Sequence, residues 1–188
     1  MQAGVEELRA VLAAYRQVKD ASWPKMHPKM AHRYPLWPTL GEAELRAELA
    51  EYLAESSAPS SSVRVFWKLG NKYVFGGCNE HFAKDAGLKV SEIIGIDDFD
   101  PRLPWQAQAY KYRADDAEVL TSGTPKLDIL ERQTGGSGAI TWVRVGKTPI
   151  KTAPGATIGV LGMYELIDDK TAKEIVFARS RSDSAKKA

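Results

Sequence analysis

The stretch "KYVFGGCNEHFAKDAGL", residues 72–88, holds the only cysteine of the chain, Cys78, followed at once by Asn79, Glu80 and His81. Two readings compete for it. A thiol just before a helix, with an imidazole three residues on, has the parts of an activated nucleophile. The same residues also spell a strand running into a helix: Tyr73, Val74 and Phe75 favour extended backbone, Asn79 is a good N-cap, and Gly87 is a stop. His81 falls inside that helix rather than beside the thiol. The junction reading is therefore adopted, with Cys78 a small core or pocket-edge residue and Phe82 buried.

Upstream, "VRVFWKL" (63–69) is β-branched and aromatic, and Gly70 and Asn71 separate it from "KYVFGG", so the pair predicts a hairpin. Downstream come short helical pieces: "NEHFAKDAGL", "VSEIIG" with Ser91 as its expected cap, and "QAQAYKYRADDAEVLTSG" ending at Gly123. Three strand candidates follow, "KLDILERQ", "AITWVRVGKTPI" and "TIGVLGMYEL", the first two joined by "TGGSG". In "ATIGVLGMYELI" both alternating sets are apolar, so this strand needs cover on both faces of its sheet. Short helices supply one cover. The other is expected from the helix of residues 5–18 or from a second copy of the protein.

That helix, "GVEELRAVLAAYRQVKD", carries Val5, Leu8, Leu12 and Tyr15 on one stripe. A segment with Pro24, Pro28, Pro35 and Pro38 among Trp23, Tyr34 and Trp37 reads as a packed loop. "GEAELRAELAEYLAES" is a second helix, with Leu45, Leu49 and Leu53 four apart, and "SSAPSSS" a linker. The expected organisation is an N-terminal helical cap over residues 1–62, a second unit over 63–170, and a helix start with polar tail over 171–188.

The 188 residues carry 26 basic and 24 acidic side chains, a net charge of +2, spread evenly except for a small basic excess in "ARSRSDSAKKA". This balance predicts neither a nucleic-acid nor a membrane partner. One cysteine excludes an internal disulfide, and no apolar run suits a signal peptide or a membrane span, so a cytoplasmic location is expected.

Five pieces in order, "GGCNEHFAKDAGL", "SEIIGIDDFDPRLPW", "YRADDAEVLTSG", "GAITWVRVGKTPI" and "GVLGMYEL", resemble a PAS domain over roughly residues 63–170. The match is nearest to bacterial modules attached to histidine kinases, diguanylate cyclases and transcriptional regulators. The resemblance implies an α+β fold, a five-stranded antiparallel sheet with a belt of short helices around a ligand pocket, and a sensory, non-enzymatic role. It also implies a homodimer built through the N-terminal cap, and a separate effector protein as a further partner. One departure concerns the family's closing Asp-Ile-Thr triplet, which couples the sheet to an output helix: Leu166, Ile167 and Asp168 stand there instead.

The pocket wall expected from the resemblance comprises Val74, Phe82, Ile94, Phe99, Trp105, Tyr112, Trp142, Leu161 and Met163, with Arg113 as polar anchor. Noncovalent flavin is left open by Phe99, Trp105 and Trp142 as ring-flanking walls. A covalent flavin adduct lacks its cysteine in "GIDDFDPRLPW", and haem lacks a histidine in the belt. Met26, His27, Met30 and His32 have ligand chemistry for a soft metal but no motif spacing. Asp97, Asp98, Asp100, Asp115 and Asp116 would serve as acid or base only if one were buried with a raised pKa; capping and ion pairing with Arg113 are the simpler roles. The expected function is a sensor of a small ligand signalling through the N-terminal helices or a dimer interface. The alternative is a ligand-free dimerisation scaffold whose core is filled by its own side chains.

Overall fold

The computed structural model describes residues 4–17, 40–152 and 155–185. The proline-rich loop, with Met26, His27, Met30 and His32, lies outside the described residues. Two helices, α1 (Val5–Gln17) and α2 (Glu42–Ser56), precede the hairpin β1 (Val63–Leu69) and β2 (Val74–Cys78). Helices α3 (Glu80–Ala86), α4 (Val90–Ile93) and α5 (Ala109–Ser122) then lead to β3 (Lys126–Thr134), β4 (Ile140–Lys151), β5 (Thr157–Ile167) and α6 (Asp169–Ala185). The strands form one antiparallel sheet in the order β2-β1-β5-β4-β3.

The opening stretch folds as its strand-to-helix reading requires. Asn79 caps α3 by accepting the Phe82 amide at 3.1 Å, and Gly87 ends the helix at φ 70°, a conformation open to glycine. The pair Gly76 and Gly77 has a different cause. The Trp67 indole lies against them from β1, so a Cβ on Gly77 would fall 2.2 Å from the ring. α4 starts without help from Ser91: Glu92 accepts the Lys89 amide at 2.8 Å instead.

Alternation along β5 gives the sheet two apolar faces, and each is covered. Val65, Trp67, Leu161 and Met163 face α1 and α2, whose Leu8, Val11, Leu12 and Leu45 are almost wholly buried against them. The chain's own helices thus cover the outer face. Phe66, Phe75, Val145 and Tyr164 face the other way, onto Phe82, Ile93, Leu103 and Trp105 of the belt. The sheet is the middle layer of three. Asn79 joins them at one corner: its amide donates to the Ser56 and Val63 carbonyls at 3.1 and 2.9 Å, while its oxygen also accepts the Val65 amide at 3.0 Å.

Candidate functional site

On the inner face four charged side chains meet in the core. Lys68 on β1 and Lys147 on β4 flank β5, and the register places them opposite Val160 and Gly162, two residues apart on the same side of that strand. Lys68 donates to both oxygens of Asp98, at 2.8 and 2.7 Å, and to Asp116 Oδ2 at 2.6 Å. Lys147 donates to Asp116 Oδ1 at 2.7 Å and to the Tyr112 carbonyl at 3.1 Å. None of the four is more than 2% exposed. Burying charge this deeply is tolerated only when it is paired and hydrogen-bonded, which these contacts achieve.

The two carboxylates are not equivalent. Burial acts against the charged form of Asp116, but Lys68 and Lys147 together outweigh it and hold its pKa below the usual carboxylate range. Asp98 is raised instead, because burial dominates, Lys68 offsets it only in part and Asp116 adds repulsion. Burial would likewise strip Lys68 of its proton, yet Asp116 and Asp98 overcome it and leave its pKa raised. Burial also keeps the Tyr112 and Tyr164 phenols protonated far above their ordinary range.

Lys68, Asp98 and Lys147 of this cluster form one wall of a cavity of about 40 Å³, roughly enough for a few waters at about 10–15 Å³ each. Phe66, Phe75, Phe82, Trp105, Tyr164 and Val145 supply its apolar wall, and Glu131 and Gln133 of β3 complete it. Glu131, almost fully buried, pairs with the Lys111 ammonium of α5 at 2.7 Å. Tyr164 donates its hydroxyl to Asp85 at 2.9 Å, and Asp85 also accepts Arg64 at 2.9 Å.

Of the residues predicted for the wall, Phe82, Trp105 and Tyr112 line the cavity. Val74 does not; its neighbour Phe75 does, since adjacent strand residues face opposite ways. Leu161 and Met163 are corrected on the same ground, being part of the outer core against α1, as is Trp142, which pairs with outward-facing Ile167 and stacks under Arg132. Ile94 follows α4 and is half exposed. Phe99 sits outside the cavity wall, edge-on to Tyr110. Arg113 lies over the rings of Tyr73 and Phe99, 3.4 Å from Asp97 and 3.9 Å from Asp98, so it backs the wall without lining it.

Phe99, Trp105 and Trp142 therefore do not converge, and the residues present do not fit an isoalloxazine ring between them. Asp98 meets the burial condition set for an acid or base, but both its oxygens are held by Lys68. Asp97 caps a turn by accepting the Phe99 amide at 2.9 Å. Asp168, at the altered triplet, accepts the Thr171 amide at 2.7 Å and starts α6. Among the described residues no group of His, Cys, Asp and Glu is arranged to hold a metal, and no helix is long and apolar enough to cross a membrane.

Lys68, Lys147 and Glu131 were not anticipated. A partial signal for the lysines exists in the sequence: Lys68 sits between Trp67 and Leu69, Lys147 interrupts the long strand candidate "AITWVRVGKTPI", and a buried lysine demands a carboxylate. The Asp-Asp pairs at 97–98 and 115–116 were the available partners.

No protein-family model matches the chain, and no curated protein matches it at a significant level. Solved structures do. The phage VqmA–DPO complex superposes with a TM-score of 0.54 at 21% identity, covering 75% of this chain and 62% of that one. An RNA-binding light-oxygen-voltage receptor gives 0.53 at 15% identity, covering 74% of this chain and 38% of that one. The Vibrio cholerae VqmA–ligand–DNA complex gives 0.52 at 20% identity, covering 62% and 50%. The chain spans about half the length of the VqmA proteins it resembles.

These likenesses overturn the expectation of no nucleic-acid partner, since proteins sharing this fold include a receptor solved on DNA and one described as RNA-binding. Balanced charge over these residues does not speak for the half of one neighbour and more than half of the other that the likeness leaves uncovered. The strand order, the belt of short helices and the agreement with these structures show that residues 63–167 have the PAS fold.

Proposed function

We propose that the chain is a cytoplasmic sensory module, not an enzyme, that takes a small molecule into the cavity between sheet and belt. The observation that carries this reading is the polar wall. Lys68, Lys147, Asp98 and Glu131 border a cavity in a core that is otherwise aromatic, where side chains serving only as filler would be apolar. That the phage VqmA structure is a complex with DPO supports the idea that this architecture admits a small ligand.

The sheet is also the transmitter in this reading. A ligand that displaces Phe66 or Lys68 on the inner face moves Trp67 on the outer face, and Trp67 packs in the same core as α1 and α2. Binding then shifts the balance between two arrangements of the N-terminal helices, or of a homodimer that uses them.

The modest cavity volume favours a second reading, a ligand-free scaffold with a self-filled core. Native mass spectrometry of the purified chain, with its absorption spectrum, separates the two. Extra noncovalent mass that is lost on denaturation supports the sensor. A clean apo mass that persists after incubation with cell extract overturns it in favour of the scaffold.

A further inference from the structure

The two edges of the sheet are closed in different ways. At β2 the backbone does it: Phe75 donates its amide to the Ile96 carbonyl at 2.8 Å and accepts the Gly95 amide at 2.9 Å. At β3 side chains do it. Gly135 donates its amide to the Ala139 carbonyl at 2.9 Å within the β3–β4 hairpin, so by the alternation of an antiparallel ladder Leu130, Arg132 and Thr134 turn their amides and carbonyls away from β4. Gln108, just before α5, meets two of these groups: it donates to the Arg132 carbonyl at 3.2 Å and accepts the Thr134 amide at 3.4 Å. An amide side chain here imitates a neighbouring strand. Tyr112 fixes it by donating its hydroxyl to the same oxygen at 2.9 Å.

At the other end of β3, Arg179 of α6 donates to the Asp128 carbonyl and pairs with the Asp128 carboxylate at 3.0 Å. Asp128 stands in the left-handed region, at φ 62°, in the irregular step of the ladder between Lys126 and Ile129. Arg179 therefore also holds a bulge that cuts the straight edge short. Leu130, between the two covered points, offers its amide and carbonyl to the open edge.

An open edge is a template for another strand, and this one is self-complementary. Turned antiparallel about Leu130, β3 of a second copy sets Leu130 opposite Leu130 and Asp128 opposite Arg132, acid against base at both ends. The Arg132 and Asp128 carbonyls are acceptors that such a ladder uses, and they are the two that Gln108 and Arg179 cover. We propose that the β3 edge is a pairing surface for β3 of a second copy of this chain, kept closed by Gln108 and Arg179. Loss of both contacts, with Asp128 relaxing to extended backbone, opens it.

The test is sedimentation velocity over a concentration series on the full chain, on Gln108→Ala/Arg179→Ala, and on that pair with Leu130→Pro added. Proline at 130 removes the amide that the pairing needs but leaves the β3–β4 ladder its bonds, because that amide points outward. The expected result is a further doubling of mass in the double variant, with self-association about tenfold or more tighter than in the unaltered chain, and its loss on adding Leu130→Pro. An association state unchanged in the double variant overturns the proposal. So does association that survives Leu130→Pro, which places the contact elsewhere. Should either variant lose the near-ultraviolet circular dichroism of the native fold, Arg179→Ala decides alone, since that side chain is 40% exposed and its removal leaves the core intact. Self-association about threefold tighter is then expected, and no change overturns the proposal.

Discussion

Asp116 lies 2.6 Å from the Lys68 ammonium with both side chains almost wholly out of solvent. Its second oxygen holds Lys147 at 2.7 Å, so one carboxylate of α5 joins β1 and β4. Removing it strands two buried lysines. Asp116→Asn is expected to destabilise the fold by about 3–5 kcal/mol, as breaking a buried ion pair does. Urea unfolding at neutral pH measures this, and a loss below about 1 kcal/mol would show the cluster to be far wetter than its geometry.

The two aspartates on Lys68 should answer pH in opposite directions. Asp116 has a folded pKa below its unfolded value, so its contribution is complete above the ordinary carboxylate range and is lost as pH falls through the folded pKa. Asp98 has a raised folded pKa, so the native state gains stability as pH falls from above that value towards the unfolded one. Unfolding free energies between pH 7 and 3 should therefore show the penalty of Asp116→Asn shrinking towards acid and that of Asp98→Asn growing. Parallel curves would contradict the assignment of the two roles.

Asn79 is expected to be worth more than a helix cap. It serves α3, β1 and the end of α2 at once, with donors and acceptors all used and only 1% of its surface exposed. Asn79→Ala loses the cap, at about 1 kcal/mol, and leaves buried carbonyls and amides unpaired at about 1–3 kcal/mol more. Asn79→Asp keeps the acceptor but cannot donate to Ser56 and Val63, so it should fail to rescue stability in thermal unfolding. Full rescue by Asp would mean that only the cap matters.

Elements followed directly from local chemistry: glycines and asparagine fixed the β2–α3 junction, and the doubly apolar pattern of β5 called for a layer on each side. Which face looked into the cavity was not legible. Leu161 and Met163 are as apolar as Val160 and Tyr164, and only the register with β1 and β4 assigns one pair to the helices and leaves Tyr164 to the belt. The charged wall was hidden for a related reason. Lys68 and Asp116 are 48 residues apart, and a lysine between Trp67 and Leu69 looks like a solvent-side residue until the strand is known to be covered twice.

Thr148 neighbours Lys147 but faces the other core. It is paired in register with Leu161, is fully buried, and its hydroxyl has no hydrogen-bond partner among the described residues. Replacing such a group by an apolar one of the same shape removes a desolvation penalty. Thr148→Val is expected to be neutral or stabilising by up to about 1 kcal/mol in chemical denaturation, and a clear loss would reveal a partner for the hydroxyl.

Cys78 returns as a measure of opening rather than of catalysis. Its side chain packs in the inner core at 1% exposure, and burial, aided by the nearby Glu80 charge, pushes its thiol up to about 12. At pH 8 the native chain should react with iodoacetamide far more slowly than the urea-unfolded chain, at a rate set by transient opening of the β2–α3 junction. The sign with pH is also fixed: the folded state keeps the proton that the unfolded state gives up near 9, so stability falls as pH rises from about 9 towards 12. Cys78→Ala removes this part of the alkaline decline. Rapid alkylation of the native chain, or an unchanged alkaline limb in the variant, would place the thiol in contact with water and restore the nucleophile reading.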